Sequence, residues 1–370
     1  MYRLFHLLLA CCALIASMPL PAQTPSDTDS GKIAPYQARF GRARPVVAIV
    51  GENRGTELMD FAIPYGVLAR SGSVDLYTVS TQPGALQMRP GLRIEPQTTI
   101  ADFDARFPDG ADYVIVPAVV HSDDATLLAW VAAQGAKGGT VVSICDGALV
   151  VANSGLLKGH RGTAHWATEA LRKQQYPDTR WIANTRYVAD GKVVSSAGIS
   201  AAMPTALALV EAISGKDKAT EVARQLGVSE WGTAHDSDRF HPRLGRNLLA
   251  FSHMYTNAWL HSTDSIGAPV SEGVDEIALA IAVDAWSRTS RSKAYSVAAS
   301  DAPLHTRGGL TVLPDRVDGA ANAPRQMLPA FDQAPPALMF DQTLARIADT
   351  YGRSTAYLVA LDLEYPAYQP

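Results

Sequence analysis

Cysteine is nearly absent from this chain: three residues in 370, at positions 11, 12 and 145. The first two lie in an apolar leading segment, so a chain trimmed behind it keeps Cys145 alone and can form no internal disulfide. A single thiol also excludes the cysteine-rich zinc spacings. Charged residues are sparse, at 18% with a net charge of -4, and no basic cluster stands out, which argues against nucleic acid as a partner. The chain has neither a phosphate-cradling loop nor a dinucleotide fingerprint. No cofactor and no metal are therefore expected. The stretch from His235 to His241, with Asp236 and Asp238 between, reads as a polar loop.

Long apolar runs are equally rare, and the clearest spans Leu7 to Met18. With Met1-Tyr2-Arg3 before it and Pro19-Leu20-Pro21-Ala22 behind, it has the layout of a secretory signal peptide cut after Ala22. Its apolar part is too short for a stable membrane span. The expectation is a periplasmic or secreted protein of bacterial type, with residues 23–43 as a polar linker and no span once the leader is gone.

What the chain does have is apolar content of 47%, ample for a core. Short β-branched runs at Pro45–Val50, Val74–Ser80 and Asp112–Pro117 alternate with helical spacing. One helix is expected from a Thr56 cap through Leu68, another from a Ser122 cap through Ala133. A hairpin around Asp190-Gly191 and an apolar helix from Ser200 to Ile213 follow. This order predicts an α/β, flavodoxin-like fold: a mainly parallel sheet sandwiched by helices, over residues 44–228, with its ligand site beyond the strands' carboxyl ends.

The sharpest local signal is Gly139-Thr-Val-Val-Ser-Ile-Cys145-Asp146-Gly147-Ala148. A buried-strand pattern stops at a cysteine, and small residues with helical spacing follow. That is the layout of a nucleophile elbow, a sharp strand-to-helix turn that thrusts a side chain out at the sheet's carboxyl end. The helix that follows points its N–H groups and dipole toward the sulfur, which favours thiolate.

Ser143-Ile-Cys-Asp-Gly-Ala148, followed by Ser154-Gly-Leu-Leu-Lys-Gly-His-Arg-Gly-Thr-Ala-His-Trp166, resembles the DJ-one/PfpI superfamily. The similarity runs toward its isonitrile hydratases and the sensor domains of AraC-type regulators. The resemblance implies a nucleophilic Cys145 with an acid from the first helix as proton partner. Asp60 sits four residues before Pro64 in that role, and Glu57 is a second acid on the same turn. His165, in Thr163-Ala164-His165, matches an auxiliary imidazole. The oxyanion or substrate-binding positions are Ala118, Asp146 and Gly147, together with Glu57. The carboxylate of Asp146 opposes the dipole by raising the thiol pKa. The chain departs from the family where Val114-Ile-Val-Pro117 leads into Ala118-Val119 rather than Gly-Gly, which narrows the approach.

A shift of 218 places Glu57 on Asp275, Tyr77 on Tyr295, Arg89 on Arg307 and Gly91-Leu92 on Gly309-Leu310, without a gap. This suggests a C-terminal partial repeat, with residues 240–370 forming a degenerate second module lacking a cysteine. Asp315–Ala337 is expected to be a loose connection, and Phe340 onward helical. The implied function is an exported cysteine-dependent hydratase or hydrolase for a small carbon–nitrogen substrate. The alternatives are a non-catalytic ligand or redox sensor and a glyoxalase- or deglycase-like activity. A homodimer or an intrachain pseudo-dimer fits the repeat.

Overall fold

The computed structural model describes residues 32–331 and 334–369. The signal-peptide reading, with Cys11 and Cys12, lies outside these residues. The described part of the expected linker has no regular secondary structure and turns at Phe40-Gly41, but it is pinned: Ile33 is buried, the Tyr36 N–H donates to the Ala212 carbonyl, and Arg42 pairs with the buried Asp112 at 2.8 Å.

The central strand is Val46–Gly51, buried at every position, as a β-branched strand covered on both faces must be. Around it forms a seven-stranded sheet in the order 187–190, 193–196, 140–143, 113–116, 46–51, 75–80, 98–99. All neighbours run parallel except the hairpin Tyr187–Asp190 with Val193–Ser196. The helix after the central strand, Leu58–Ser71, starts without a side-chain cap. The Thr56 hydroxyl instead accepts from the Glu52 N–H at 2.8 Å, closing the loop rather than capping the helix. The next large helix, Ala125–Ala136, is capped by Asp124 and not by Ser122: Asp124 directly precedes the first helical residue and its carboxylate accepts from the Leu127 N–H at 2.9 Å, while Ser122 stands two residues further back.

Beyond Arg239 lies a second sheet-and-helix region. Its strands Arg316–Val317, Ser292–Ala298, Asp264–Pro269 and Gln326–Met327 lie side by side and parallel. Short strands and a one-turn helix at Pro336–Leu338 interrupt the segment expected to be loose. The last helix divides at Gly352 into Met339–Tyr351 and Arg353–Asp362.

The two regions meet along Leu58–Ser71 and Glu276–Ser287. Each helix is buried almost all round, since it has its own sheet on one side and the other helix on the opposite side. Gly66 makes this approach possible: a Cβ there would lie 2.6 Å from Ile277 Cγ1 and 2.7 Å from Glu276 Oε1. Arg70 on the first helix pairs with Asp275 and Glu276. Arg288, just past the second, pairs with Glu57 at 2.7 Å. Arg93–Glu95 also pairs antiparallel with Thr311–Leu313, joining the regions in one five-stranded arm.

Candidate active site

The elbow strand Thr140–Ser143 is fully buried, and two residues on Cys145 turns with φ +55°. A non-glycine residue in that left-handed region costs about 1–2 kcal/mol and persists only where its surroundings hold it. Here the Cys145 N–H donates to Ser196 Oγ at 3.2 Å and the Ile144 N–H to the Val116 carbonyl at 3.0 Å. Gly147 begins the helix Gly147–Asn153, and a Cβ there would fall 2.0 Å from the Val116 oxygen and 2.9 Å from Pro117 C and O. Only glycine lets the elbow sit against that neighbouring strand end.

Cys145 is buried, 5% exposed. The Asp146 N–H points at its sulfur and lowers the thiol pKa, but burial is the largest influence, followed by the charges of Asp60, Asp146 and Glu57. The net direction is upward, opposite to the thiolate expected from the helix dipole. The physical reason is that a seven-residue helix supplies a small field, while burial among carboxyls supplies a large opposing one.

Asp60 is fully buried. One carboxyl oxygen, Oδ2, accepts from the Ala118 N–H at 3.1 Å, and the other, Oδ1, has no protein partner. Burial pushes its pKa well up, against the Ala118 hydrogen bond and the Arg288 charge. The Ala118 N–H, expected as an oxyanion donor, is thus already committed to Asp60. Glu57 is also pushed well up by burial, with the adjacent Asp284 adding to the rise and Arg288 opposing it. Arg288 holds this group together by donating to Glu57 at 2.7 Å, to Asp284, and to Asp362 at 2.5 Å.

His165 is buried with both ring nitrogens occupied. Nε2 meets the Asp362 carbonyl at 2.9 Å, and Nδ1 accepts from the Ala167 N–H at 3.2 Å. Both ring nitrogens therefore face backbone atoms. Asp146 accepts from Thr168 Oγ1 at 2.6 Å, and burial raises its pKa. The histidines at 235 and 241 go separate ways, to Glu364 at 2.9 Å and to Glu169 at 3.3 Å.

A family model described as DJ-1/PfpI family matches residues 46–212. Isonitrile hydratase from Pseudomonas putida is 32% identical over 173 residues, covering 45% of this chain and 72% of that protein. The chain belongs to the DJ-1/PfpI family. The HTH-type transcriptional regulator CdhR of Pseudomonas aeruginosa is 28% identical over 113 residues, which cover 30% of this DJ-1/PfpI chain and 33% of the regulator. The crystal structure of Drosophila melanogaster DJ-1beta superposes with a TM-score of 0.46 at 24% identity, covering 50% of this chain and all of that one.

Sequence reasoning about the DJ-1/PfpI region alone missed four groups: Asp284, Arg288, Asp362 and Glu364. All come from the second region. Glu364 is fully buried and accepts from the Gly198 N–H at 2.5 Å and from Ser237 Oγ at 2.5 Å. One signal was available: the 218-residue shift that places Glu57 on Asp275 also places Arg70 on Arg288.

Proposed function

We propose that this protein is a cysteine-dependent hydratase or hydrolase acting on a small carbon–nitrogen substrate of the isonitrile class, with Cys145 as nucleophile and Asp60 as proton partner. The observation that carries this reading is the pairing of a strained, elbow-borne Cys145 with a buried Asp60 of raised pKa whose Oδ1 lacks a protein partner. An isonitrile carbon is a weak electrophile that needs a proton as the sulfur adds, and a carboxyl with a raised pKa supplies one at neutral pH. The sulfur forms a bond to that carbon, the Asp60 proton lands on the same carbon, and the thiol proton passes to Asp60. Water then adds to the resulting thioimidate. Collapse breaks the carbon–sulfur bond, returns a proton to sulfur and releases an N-substituted formamide. One water is consumed and nothing is oxidised or reduced.

The burial of Cys145, 5% exposed, limits substrate access and so favours a second reading, a non-catalytic ligand sensor; a redox sensor is the variant of that reading in which an oxidant must overcome the same burial. Formamide production from an alkyl isonitrile, followed by NMR, separates the two. Turnover lost in Cys145→Ala and strongly reduced in Asp60→Asn supports the hydratase. Selective oxidation of Cys145 without turnover supports the sensor. Glyoxalase-like chemistry uses the same residues and is tested with methylglyoxal in the same variants.

We infer further that residues 240–370 are a degenerate duplicate, docked as a partner subunit would be. Strands Val46–Gly51 and Asp264–Pro269, helices Leu58–Ser71 and Glu276–Ser287, and strands Arg93–Glu95 and Thr311–Leu313 all start 218 residues apart. Nearer the end, Ala202–Ser214 and Lys216–Leu226 answer Met339–Tyr351 and Arg353–Asp362 at a spacing of 137. The shorter spacing corresponds to loss of the elbow and hairpin. The reciprocal ion pairs, Arg70 with Asp275 and Arg288 with Glu57, support a pseudo-two-fold arrangement. Export through the leader belongs to the same proposal, and fractionation of the full chain tests it.

A further inference from the structure

The helix Leu248–Leu260 leaves much of its apolar surface uncovered. It touches the protein along one edge, through buried Ala250 and through Asn257, whose amide donates to the Thr289 carbonyl at 2.9 Å and Thr355 Oγ1 at 3.1 Å. The opposite face carries Leu248, Leu249, Tyr255, Trp259 and Leu260. Leu249 is 81% exposed, Trp259 78% and Leu260 72%, and Leu244 just before the helix is 91% exposed. The Tyr255 and Trp259 rings lie 5.5 Å apart. An apolar face of this size on a soluble surface marks an interaction site.

The charge around it says what the partner is. From Arg239 to Thr263 the chain holds Arg239, Arg243 and Arg246 and three histidines, and not one aspartate or glutamate, in a protein whose net charge is -4. A second copy would set this patch against itself, and the carboxylates near it are few: Glu169, already paired with His241, and Asp238 and Asp264 at its two ends. An anionic lipid surface answers both features. Aliphatic side chains enter the acyl boundary, the amphipathic rings of tyrosine and tryptophan sit at headgroup depth, and arginines meet phosphates. At 13 residues the helix is too short to cross a bilayer, and no described helix is long and apolar enough to do so. We propose that Leu248–Leu260 is an in-plane anchor that binds this protein to anionic membrane surfaces.

The test floats the full chain with vesicles of phosphatidylglycerol and phosphatidylcholine, and with phosphatidylcholine alone, at low and high salt. The expected result is flotation with the anionic vesicles, weakened by salt, with a blue shift of tryptophan emission. Leu249→Ser with Trp259→Ser lowers partitioning by about tenfold or more. Arg243→Gln with Arg246→Gln weakens binding to anionic vesicles only. Both pairs alter exposed positions, and an unchanged thermal transition checks folding. Three results overturn the proposal. The first is no flotation; the second is equal flotation of parent and both variants, which assigns binding elsewhere in the chain, the leader included. The third is lipid-independent self-association that Trp259→Ser abolishes, which makes the face a contact between copies.

Discussion

Replacing Arg288 with methionine tests whether the second region governs the chemistry of the first. The guanidinium is 16% exposed and serves Glu57 at 13%, Asp284 at 0% and Asp362 at 43%. Asp362 is too exposed to weigh heavily. Glu57 and Asp284 are not, and removing one partner of a buried ion pair costs about 3–5 kcal/mol. Without Arg288 the Glu57 carboxyl loses the charge that opposes its upward shift. Its folded pKa then rises further above the unfolded one, so the deficit grows as pH rises and shrinks as pH falls toward the ordinary Glu value of 4.5. Urea midpoints read by tryptophan fluorescence, taken at mildly acidic and mildly alkaline pH, measure this directly. Combining Arg288→Met with Glu57→Gln and Asp284→Asn should restore most of the loss. Arg70→Met removes the reciprocal pair with Asp275 and Glu276 and should cost similar stability while leaving the pH profile of Cys145 alkylation in place. A deficit in Arg288→Met below about 0.5 kcal/mol, or one that does not vary with pH, refutes the reasoning.

Asp60→Asn keeps the acceptor for the Ala118 N–H and removes a buried acid whose pKa is raised. It should therefore stabilise the protein at neutral pH, with the gain vanishing toward the ordinary Asp value of 3.8, while turnover falls. Gly147→Ala drives a Cβ into the Val116 and Pro117 backbone and should cost about 1–3 kcal/mol or more, with slower substrate chemistry in the fraction that folds. Glu364 is held below the usual carboxylate range because His235 and Ser237 outweigh its burial. Its contribution is present above the ordinary value of 4.5 and is lost as pH falls, and Glu364→Gln should remove that acid sensitivity at a cost of about 2 kcal/mol. Circular-dichroism melts across pH read all three.

The elbow was legible because its signals are local: a β-branched run, a cysteine, and a glycine that the neighbouring strand demands. The Asp60 and Pro64 spacing was local too. The thiol's protonation was not, because it depends on burial and on carboxyls from two separate segments, Glu57 with Asp60 and Asp146, converging on one volume. Arg288 lies 143 residues beyond Cys145 in sequence, and only tertiary packing brings it to Glu57. His165 shows the opposite limit. The motif fixes where it sits in the chain, but its ring is aimed by the Asp362 carbonyl, a backbone atom that no residue pattern announces. The caps at Thr56 and Ser122 failed for smaller reasons: Thr56 spends its hydroxyl on the Glu52 backbone, and Asp124 rather than Ser122 stands directly before the helix.

The pairing of Arg93–Glu95 with Thr311–Leu313, and of helix Leu58–Ser71 with Glu276–Ser287, is made within one chain. A group delivered by a separate subunit is present only while protein concentration exceeds the dissociation constant. A group on the same chain is held at a fixed, high effective concentration however dilute the protein becomes. Arg288 therefore reaches Glu57 in every folded molecule, and the charge state around Cys145 does not change with dilution.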